Sequence, residues 1–279
     1  MLTAPSLAES AALPRAYVIN LANAGDRRAV VTERLGAAGV PFSFFPAVDG
    51  RTQPVESQPI YDGPGRRAKV GHDMIGGEIG CLLSHKAVLE AVAGEGRGPA
   101  LVFEDDVLLD PYFADAVRAL MARQDLWELV RFLGSPKIMG QPQRRIASLG
   151  ASYWLTRFMT QPGGAHAYLV SEAGARKLLA QLERTPFPID NLMGRPWRTG
   201  VANLTVRPGL ARQDEAMDSN IGDARFVSAK RVREHAGLGR RLSLGAHRMG
   251  DNFATRTAFF GAAPADWWRR LSGGGGAAD

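Results

Sequence analysis

Residues 100–106 read Ala-Leu-Val-Phe-Glu-Asp-Asp, an apolar run that stops abruptly in three carboxylates. Four consecutive apolar residues bounded by charge fit a strand buried on both faces, as in a sheet covered by helices. A helix is expected next, because Asp110-Pro111 offers a cap and a first-turn proline, and Phe113, Val117, Leu120 and Met121 share a face. In open α/β sheets ligands bind beyond the carboxyl ends of strands, which is where Glu104, Asp105 and Asp106 stand. Three adjacent carboxylates repel one another and weaken a fold unless a cation neutralises them. Hard oxygen ligands of this kind suit Mg²⁺ or Mn²⁺ bridging to phosphate oxygens. A solvated acidic turn is the competing reading; the tripeptide alone leaves the two even, and the apolar strand before it favours the metal.

Outward from this strand the chain alternates. Residues 15–21 (RAYVINL) read as a first buried strand, and Asp26 caps a helix with Val31, Leu35 and Ala38 on its apolar stripe, ended by Gly39 and Pro41. Residues 42–45 form a second strand, so the opening is βαβ, with a right-handed crossover and a parallel pair. A polar stretch, 49–77, is expected to be a long loop. The helix expected over 78–93 carries Cys81, Leu82, Val88, Leu89 and Val92 on its stripe, with His85 among them. Further strands are expected at 129–133 and 165–170, separated by an irregular region, 134–164, with an aromatic patch of Tyr153, Trp154 and Phe158. Ser171 then caps a helix bearing Ala175, Leu178, Leu179 and Leu182. Strands alternating with helices imply an α/β domain with a mainly parallel sheet flanked by helices.

Composition bounds the function classes. The 279 residues are 45% hydrophobic and 22% charged, the balance of an ordinary globular protein of one or two domains. Cys81 is the sole cysteine, which excludes an internal disulfide and a multi-thiolate zinc site and points to a reducing compartment. Residues 1–14, expected to be flexible, lack a basic n-region and carry Glu9, so no secretory signal is read there. No apolar run approaches the roughly 20 residues that span a bilayer, and a cytoplasmic protein is expected. The net charge of +6 calls for an anionic partner.

Six blocks then fall in one order: YVINL (17–21), DRR (26–28), PAVDG (46–50), GEIGCLLSHK (77–86), ALVFEDDV (100–107) and AHAYLVS (165–171). Together, over residues 15–221, they resemble glycosyltransferase family 25, which includes lipooligosaccharide β-galactosyltransferases of Gram-negative bacteria and is similar to the collagen galactosyltransferases. The resemblance implies a GT-A-like, Rossmann-like fold, a UDP-sugar donor (typically UDP-galactose), Mn²⁺ or Mg²⁺, inversion at the anomeric carbon, and an oligosaccharide or glycolipid acceptor of lipopolysaccharide biosynthesis. A domain is expected over 15–224, with a donor and metal half (15–133), an acceptor half (134–224) and a basic extension (225–279) whose last residues are disordered. The high Ala, Gly and Arg content fits a GC-rich bacterial genome.

Site roles follow from the same resemblance. The acidic tripeptide corresponds to an Asp-x-Asp-type motif with Glu104 first, Asp106 as the direct metal contact, Glu104 as a metal, water-bridged or ribose contact, and Asp105 beside the donor. Asn20 and Leu21, at the end of the first strand, are placed against uracil or ribose, and Asp49 likewise, although Asp-Gly is also a routine turn. Arg27 and Arg28 are set against diphosphate, with solvated arginines as the competing reading. Ser84, His85 and Lys86 are donor or metal contacts, against a core histidine and an exposed helical lysine. Asp190, in a Pro-x-Asp element, is the general base, against a plain loop aspartate; Asp214, Glu215 and Asp218 are its rivals. His166, Tyr168, Tyr153 and Trp154 are acceptor candidates.

The C-terminal segment mixes Lys230, Arg231, Arg233 and six further arginines with Phe259, Phe260, Trp267 and Trp268. That mixture fits peripheral attachment to an anionic membrane surface, here the inner face of the cytoplasmic membrane, against a merely solvated basic face. No nucleic-acid partner is expected, since no recognised motif accompanies the charge. Two alternatives to lipopolysaccharide transfer stand beside it: a non-catalytic nucleotide-sugar or glycan-binding module, and a protein-glycosylating relative.

Overall fold

The computed structural model describes residues 12–52, 54–217 and 237–272. Asp218, the basic positions Lys230, Arg231 and Arg233, residues 1–11 of the expected flexible stretch 1–14, and the last residues, 273–279, lie outside the described residues. In chain order the elements are β1 (Arg15–Asn20), α1 (Gly25–Ala37), β2 (Ser43–Pro46), α2 (Gly63–Lys69), α3 (Gly76–Gly94), β3 (Ala100–Glu104), β4 (Val107–Leu109) and α4 (Phe113–Met121). They continue with β5 (Leu129–Arg131), α5 (Pro136–Met139), β6 (Gln143–Gly150), β7 (Tyr153–Phe158), β8 (Ala167–Val170) and α6 (Glu172–Leu179). The last are α7 (Ile189–Met193), α8 (Pro196–Thr199), β9 (Leu204–Arg207), β10 (Ala211–Gln213), α9 (Leu238–Gly261) and α10 (Ala263–Ser272).

Eight strands form one sheet in the order β2-β1-β3-β8-β5-β9-β7-β6. β3 is buried on both faces, as its unbroken apolar run requires. Leu101 and Phe103 join a core with Val31, Phe113, Val117 and Leu120, while Ala100 and Val102 join a second core with Leu82, Val88, Leu89 and Tyr168. The α/β, Rossmann-like expectation holds. Parallel pairing is confined to β2-β1-β3 and to β5 with β9, because β8 runs antiparallel to both β3 and β5, and β7 antiparallel to β9 and β6.

Four stretches depart from the sequence reading, one of them the start of α4, where Tyr112 rather than Asp110 is the N-cap and Asp110 Oδ1 instead accepts from Tyr112 N at 2.9 Å. Region 134–164, read as irregular, contains the β6-β7 hairpin, whose register shifts at Arg145/Ala147 and Ser148/Gly150 destroy the period-two alternation that marks a strand. Its turn uses Gly150, Ala151 and Ser152 at φ 87°, 44° and 68°, and a left-handed conformation at the two non-glycine residues is uncommon. The expected loop over 49–77 holds α2, which is N-capped by the Asp62 carboxylate accepting from Gly65 N at 3.1 Å. Ala24, not Asp26, occupies the N-cap of α1, and Asp26 sits in its first turn. The basic extension supplies two helices that pack back on the domain. Asp266 on α10 is fully buried and accepts from Arg144 and Arg157 of the hairpin, Asp251 on α9 pairs with Arg195 at 2.8 Å, and Arg240 donates to the Gly71 carbonyl.

Two features position the site. Loop 48–51 lies directly on α3: a Cβ built on Gly80 meets Val48 O at 2.5 Å, and one on Gly50 meets Gly76 O at 2.1 Å, so glycine alone allows this approach. The β4-β10 ribbon, antiparallel, carries Gln213 back to Val107, and Asp214 N donates to Asp106 O at 2.9 Å.

Candidate functional site

The parallel strands β1 and β3 end side by side, with Ile19 in register with Glu104, so Asn20 and the acidic tripeptide share one edge of the sheet. Asp105 is buried there and already paired. Asn20 Nδ2 donates to Oδ2 at 2.7 Å and Arg27 Nε to Oδ1 at 2.9 Å, while the Arg27 guanidinium also lies 3.4 Å from Asp106 Oδ2. Glu104 is held from two sides, by His85 Nε2 at 3.4 Å on Oε1 and by Gln213 Nε2 donating to Oε2 at 3.3 Å. His85 is itself fixed through Nδ1, 3.0 Å from the Tyr168 hydroxyl.

The electrostatics separate the three acids. Burial raises the Glu104 carboxyl, but the His85 hydrogen bond, together with the attraction of the His85 and His166 rings for the carboxylate whenever they carry a proton, outweighs it, and its pKa falls below the ordinary value. Asp106 goes the other way, pushed up to about 7 by burial and then by the Glu104 charge, with Arg27 opposing. Asp106 Oδ1 is buried and has no hydrogen-bond partner. An orphaned carboxylate oxygen beside a second ionised carboxylate suits a divalent cation that accepts hard oxygen ligands, so Glu104 and Asp106 fit Mg²⁺ or Mn²⁺. A second donor set overlaps it: Cys81, His85 and Glu104 each bring one ligand atom within 4.8 Å of the others. Desolvation and the Glu104 charge push the Cys81 thiol well up, which disfavours the thiolate that a metal bond needs.

Two cavities meet at this edge. One of about 110 Å³ is lined by Leu21, Arg27, Asp49, Ser84, His85 and the acidic tripeptide, with the close-packed loop 48–51 as its roof. The other, a cleft of about 960 Å³, contains Glu104, His166, Asp190 and Asp214 in its walls. Glu104, Cys81 and Gln213 line both, so they form a common wall.

Most of the residues expected at a donor site are therefore brought together, and several are not. Asn20 stands behind the pocket, acting on Asp105. Ser84 lines it but spends its hydroxyl on the backbone, donating to Gly80 O and accepting from Val48 N at 2.8 Å. Asp49 sits at the rim, where Arg51 hydrogen bonds draw its pKa down to about 2. Arg28 is exposed, with its guanidinium 4.1 Å over the Phe44 ring, and Lys86 points along the outside of α3 to Glu90; neither lines a cavity. Tyr168 is fully buried behind His85. Tyr153 and Trp154 lie on β7, Tyr153 stacked on Tyr112 and bonded to Asp110, Trp154 beneath Arg145, away from both cavities.

In the cleft, Asp190 is held by three N–H donors: Gly164 N reaches Oδ2 at 3.1 Å, and Asn191 N and Nδ2 reach Oδ1 at 2.7 and 3.0 Å. Gly163 leaves room for this, since a Cβ there would meet Asp190 Oδ2 at 2.9 Å. The rival Asp214 accepts from Arg34 and from Ala216 N, and these hydrogen bonds lower its pKa. Glu215 lines the cleft as an exposed side chain. His166 has its pKa lowered by burial, so the ring is neutral; Nε2 lies 3.3 Å from Ala211 O and takes the proton, leaving Nδ1 an unpartnered acceptor. Sequence reasoning missed Gln213, the wall role of Cys81, and the buried pair Arg66 and Glu78, 3.9 Å apart, at the cleft's side. Gln213 had no signal, lying far along the chain from its partner; Cys81, one helical turn before His85, had one.

Comparison with known proteins bears on the family of the chain. The family model described as glycosyltransferase family 25 (LPS biosynthesis protein) matches residues 13–193. A glycosyltransferase 25 family member of Anopheles gambiae is 29% identical over 210 residues, covering 70% of this chain and 35% of that one. A probable inactive glycosyltransferase 25 family member 3 of Bos taurus and the inactive family member 3 of Homo sapiens are each 32% identical over 196 residues, covering 63% of this chain and 30% of theirs. The chain thus spans about a third of the length of these relatives.

Proposed function

The chain belongs to glycosyltransferase family 25, and from that premise we propose that it transfers a hexose, galactose first among the candidates, from a UDP-sugar to a hydroxyl of an oligosaccharide or glycolipid acceptor, with inversion. The observation that carries this reading is the wall of Glu104, Cys81 and Gln213 common to two cavities. The 110 Å³ compartment is too small for a whole nucleotide sugar, whereas ligand clefts run to roughly 300–1,000 Å³. The diphosphate end therefore sits beside Arg27 and the carboxylates, and the sugar reaches past Glu104 into the cleft that takes the acceptor.

In the transfer, the acceptor oxygen forms a bond to the anomeric carbon as the bond from that carbon to the diphosphate oxygen breaks, and the hydroxyl proton passes to the Asp190 carboxylate. Three N–H donors aim that carboxylate before the acceptor arrives. Asn20 and Arg27 hold Asp105, and His85 and Gln213 hold Glu104, so the acidic edge needs no rearrangement when donor binds. Mn²⁺ or Mg²⁺ held by Asp106 and Glu104 would supply positive charge against the departing UDP.

A second reading, a nucleotide-sugar or glycan-binding module without turnover, is favoured by the relatives whose names call them inactive. The test is Mn²⁺-dependent UDP release from a panel of UDP-sugars, with glycolipid, free oligosaccharide and protein acceptors, beside calorimetric binding of the same donors. Transfer of one sugar, lost on chelation and reduced on the order of 10²–10³-fold in Asp106→Ala, supports transferase chemistry. Donor binding without turnover makes the binding module the better reading, and no binding at all defeats both.

A further inference from the structure

Helices α9 and α10 present a face that the site does not use. On α9, Leu242, Met249, Phe253 and Phe260 are 61–73% exposed, and at 3.6 residues per turn their positions fall within about 20° of one line. The line runs about 27 Å along the helix at 1.5 Å per residue. On α10, Trp267 and Trp268 are 64% and 67% exposed. Scattered exposed apolar residues need no explanation, but an aligned row of this length does. The opposite side of α9 is buried through Leu244, Thr255 and Phe259, so the helix packs by that side and turns the row outward.

Charge selects the occupant. Residues 237–272 contain six arginines and two aspartates. Both aspartates are turned into the domain, Asp251 on Arg195 and Asp266 on Arg144 and Arg157. No acid is left on the outward side among the described residues, while Arg248 and Arg256 are exposed on one flank of the row. A second copy would bring the same positive flank against itself, which electrostatic complementarity disfavours. Exposed tryptophan and phenylalanine beside arginine match the headgroup region of an anionic bilayer, where the rings enter the interface and the guanidinium groups meet lipid phosphate. No helix among the described residues is long and apolar enough to cross a membrane, so the contact is with the surface.

We propose that the outer face of α9 and α10 is a docking surface for an anionic lipid bilayer. This goes beyond the transferase reading and does not rest on it. The surface lies close to the cleft, because α9 is fastened to Gly71 and Arg195, next to His72 and the α7 segment of Asp190 in the cleft wall.

The test is co-sedimentation of the full chain with phosphatidylcholine vesicles, with and without phosphatidylglycerol, read together with tryptophan emission. Binding is expected to the anionic vesicles only, to weaken with salt, and to shift the emission to the blue. Arg248→Gln with Arg256→Gln should weaken it roughly 30-fold, at about fivefold per arginine. Phe253→Ser with Phe260→Ser should abolish the blue shift while leaving the thermal midpoint in place, since both side chains are exposed. Equal binding to neutral and anionic vesicles, no binding to either, or binding unaffected by both variant pairs would overturn the proposal. So would a dimer, seen by sedimentation, that the Phe253→Ser and Phe260→Ser pair dissolves while vesicles recruit nothing.

Discussion

At the scale of single residues the acidic edge works by unequal sharing of partners. Asp105 takes the hydrogen bonds of Asn20 and Arg27, and Asp106 is left with burial, a charged neighbour and an oxygen bonded to nothing. Asn20→Ala should therefore cost about 1.5–3 kcal/mol in urea denaturation, the usual worth of a hydrogen bond to a charged group. Binding of a UDP-sugar, measured by calorimetry, should weaken with it, because Arg27 would be drawn wholly to Asp105. If stability and affinity are both unchanged, Asn20 does not position the tripeptide. Much of this edge was legible: an apolar strand running into adjacent carboxylates is a local pattern, and β3 ends where the sequence says it must. The partition among the acids was not legible, because it depends on Gln213 and Tyr168, which reach the edge from other parts of the chain. Arg28 and Lys86 mark the same limit, since a side chain's outward direction on a helix depends on what packs against that helix.

Elements meet at the site through glycine. The roof of the small pocket, loop 48–51, touches α3 closely enough that Gly80→Ala would drive its Cβ into Val48 O at 2.5 Å and Gly50 N at 2.6 Å, both backbone atoms that cannot swing aside. The loop must lift, so the variant is expected to fold, with about 1–3 kcal/mol lost to overpacking, and to lose donor affinity more than tenfold. Comparing donor Kd with the urea midpoint separates the two effects; a variant destabilised but binding normally would show that the roof has no part in the pocket. The helix-spaced and strand-spaced elements, β1, α1, α3, β3, α4 and α6, were readable from periodicity. The β6-β7 hairpin was not, because its bulges put Ile146 and Ala147 both inside, and a strand that buries consecutive residues no longer alternates.

Across the whole molecule the C-terminal helices are joined to the sheet by charge. Asp266, fully buried, is the junction, and the two arginines that reach it, Arg144 and Arg157, come from adjacent strands. Burial raises the Asp266 pKa, but the arginine hydrogen bonds and charges outweigh it and the net shift is downward. A carboxyl with a depressed folded pKa stabilises the fold above its unfolded value, about 3.9, and loses that contribution as pH falls through the folded value. Asp266→Asn is expected to cost about 3–5 kcal/mol at neutral pH, since it removes the charge that pairs the buried Arg157 guanidinium. Its stability should also fall less steeply than the wild type's between about pH 5 and pH 2; urea denaturation across that range measures both, and parallel pH curves would remove Asp266 as the junction. The same junction guards a vulnerable border. β6 is the outermost strand of the eight, with a row of backbone donors and acceptors that no ninth strand among the described residues takes up, and α10 packs along it. A chain that lost its last two helices would present that row as a template for another chain's strand, so the helices that carry the exposed aromatic row also keep the sheet from growing into a polymer.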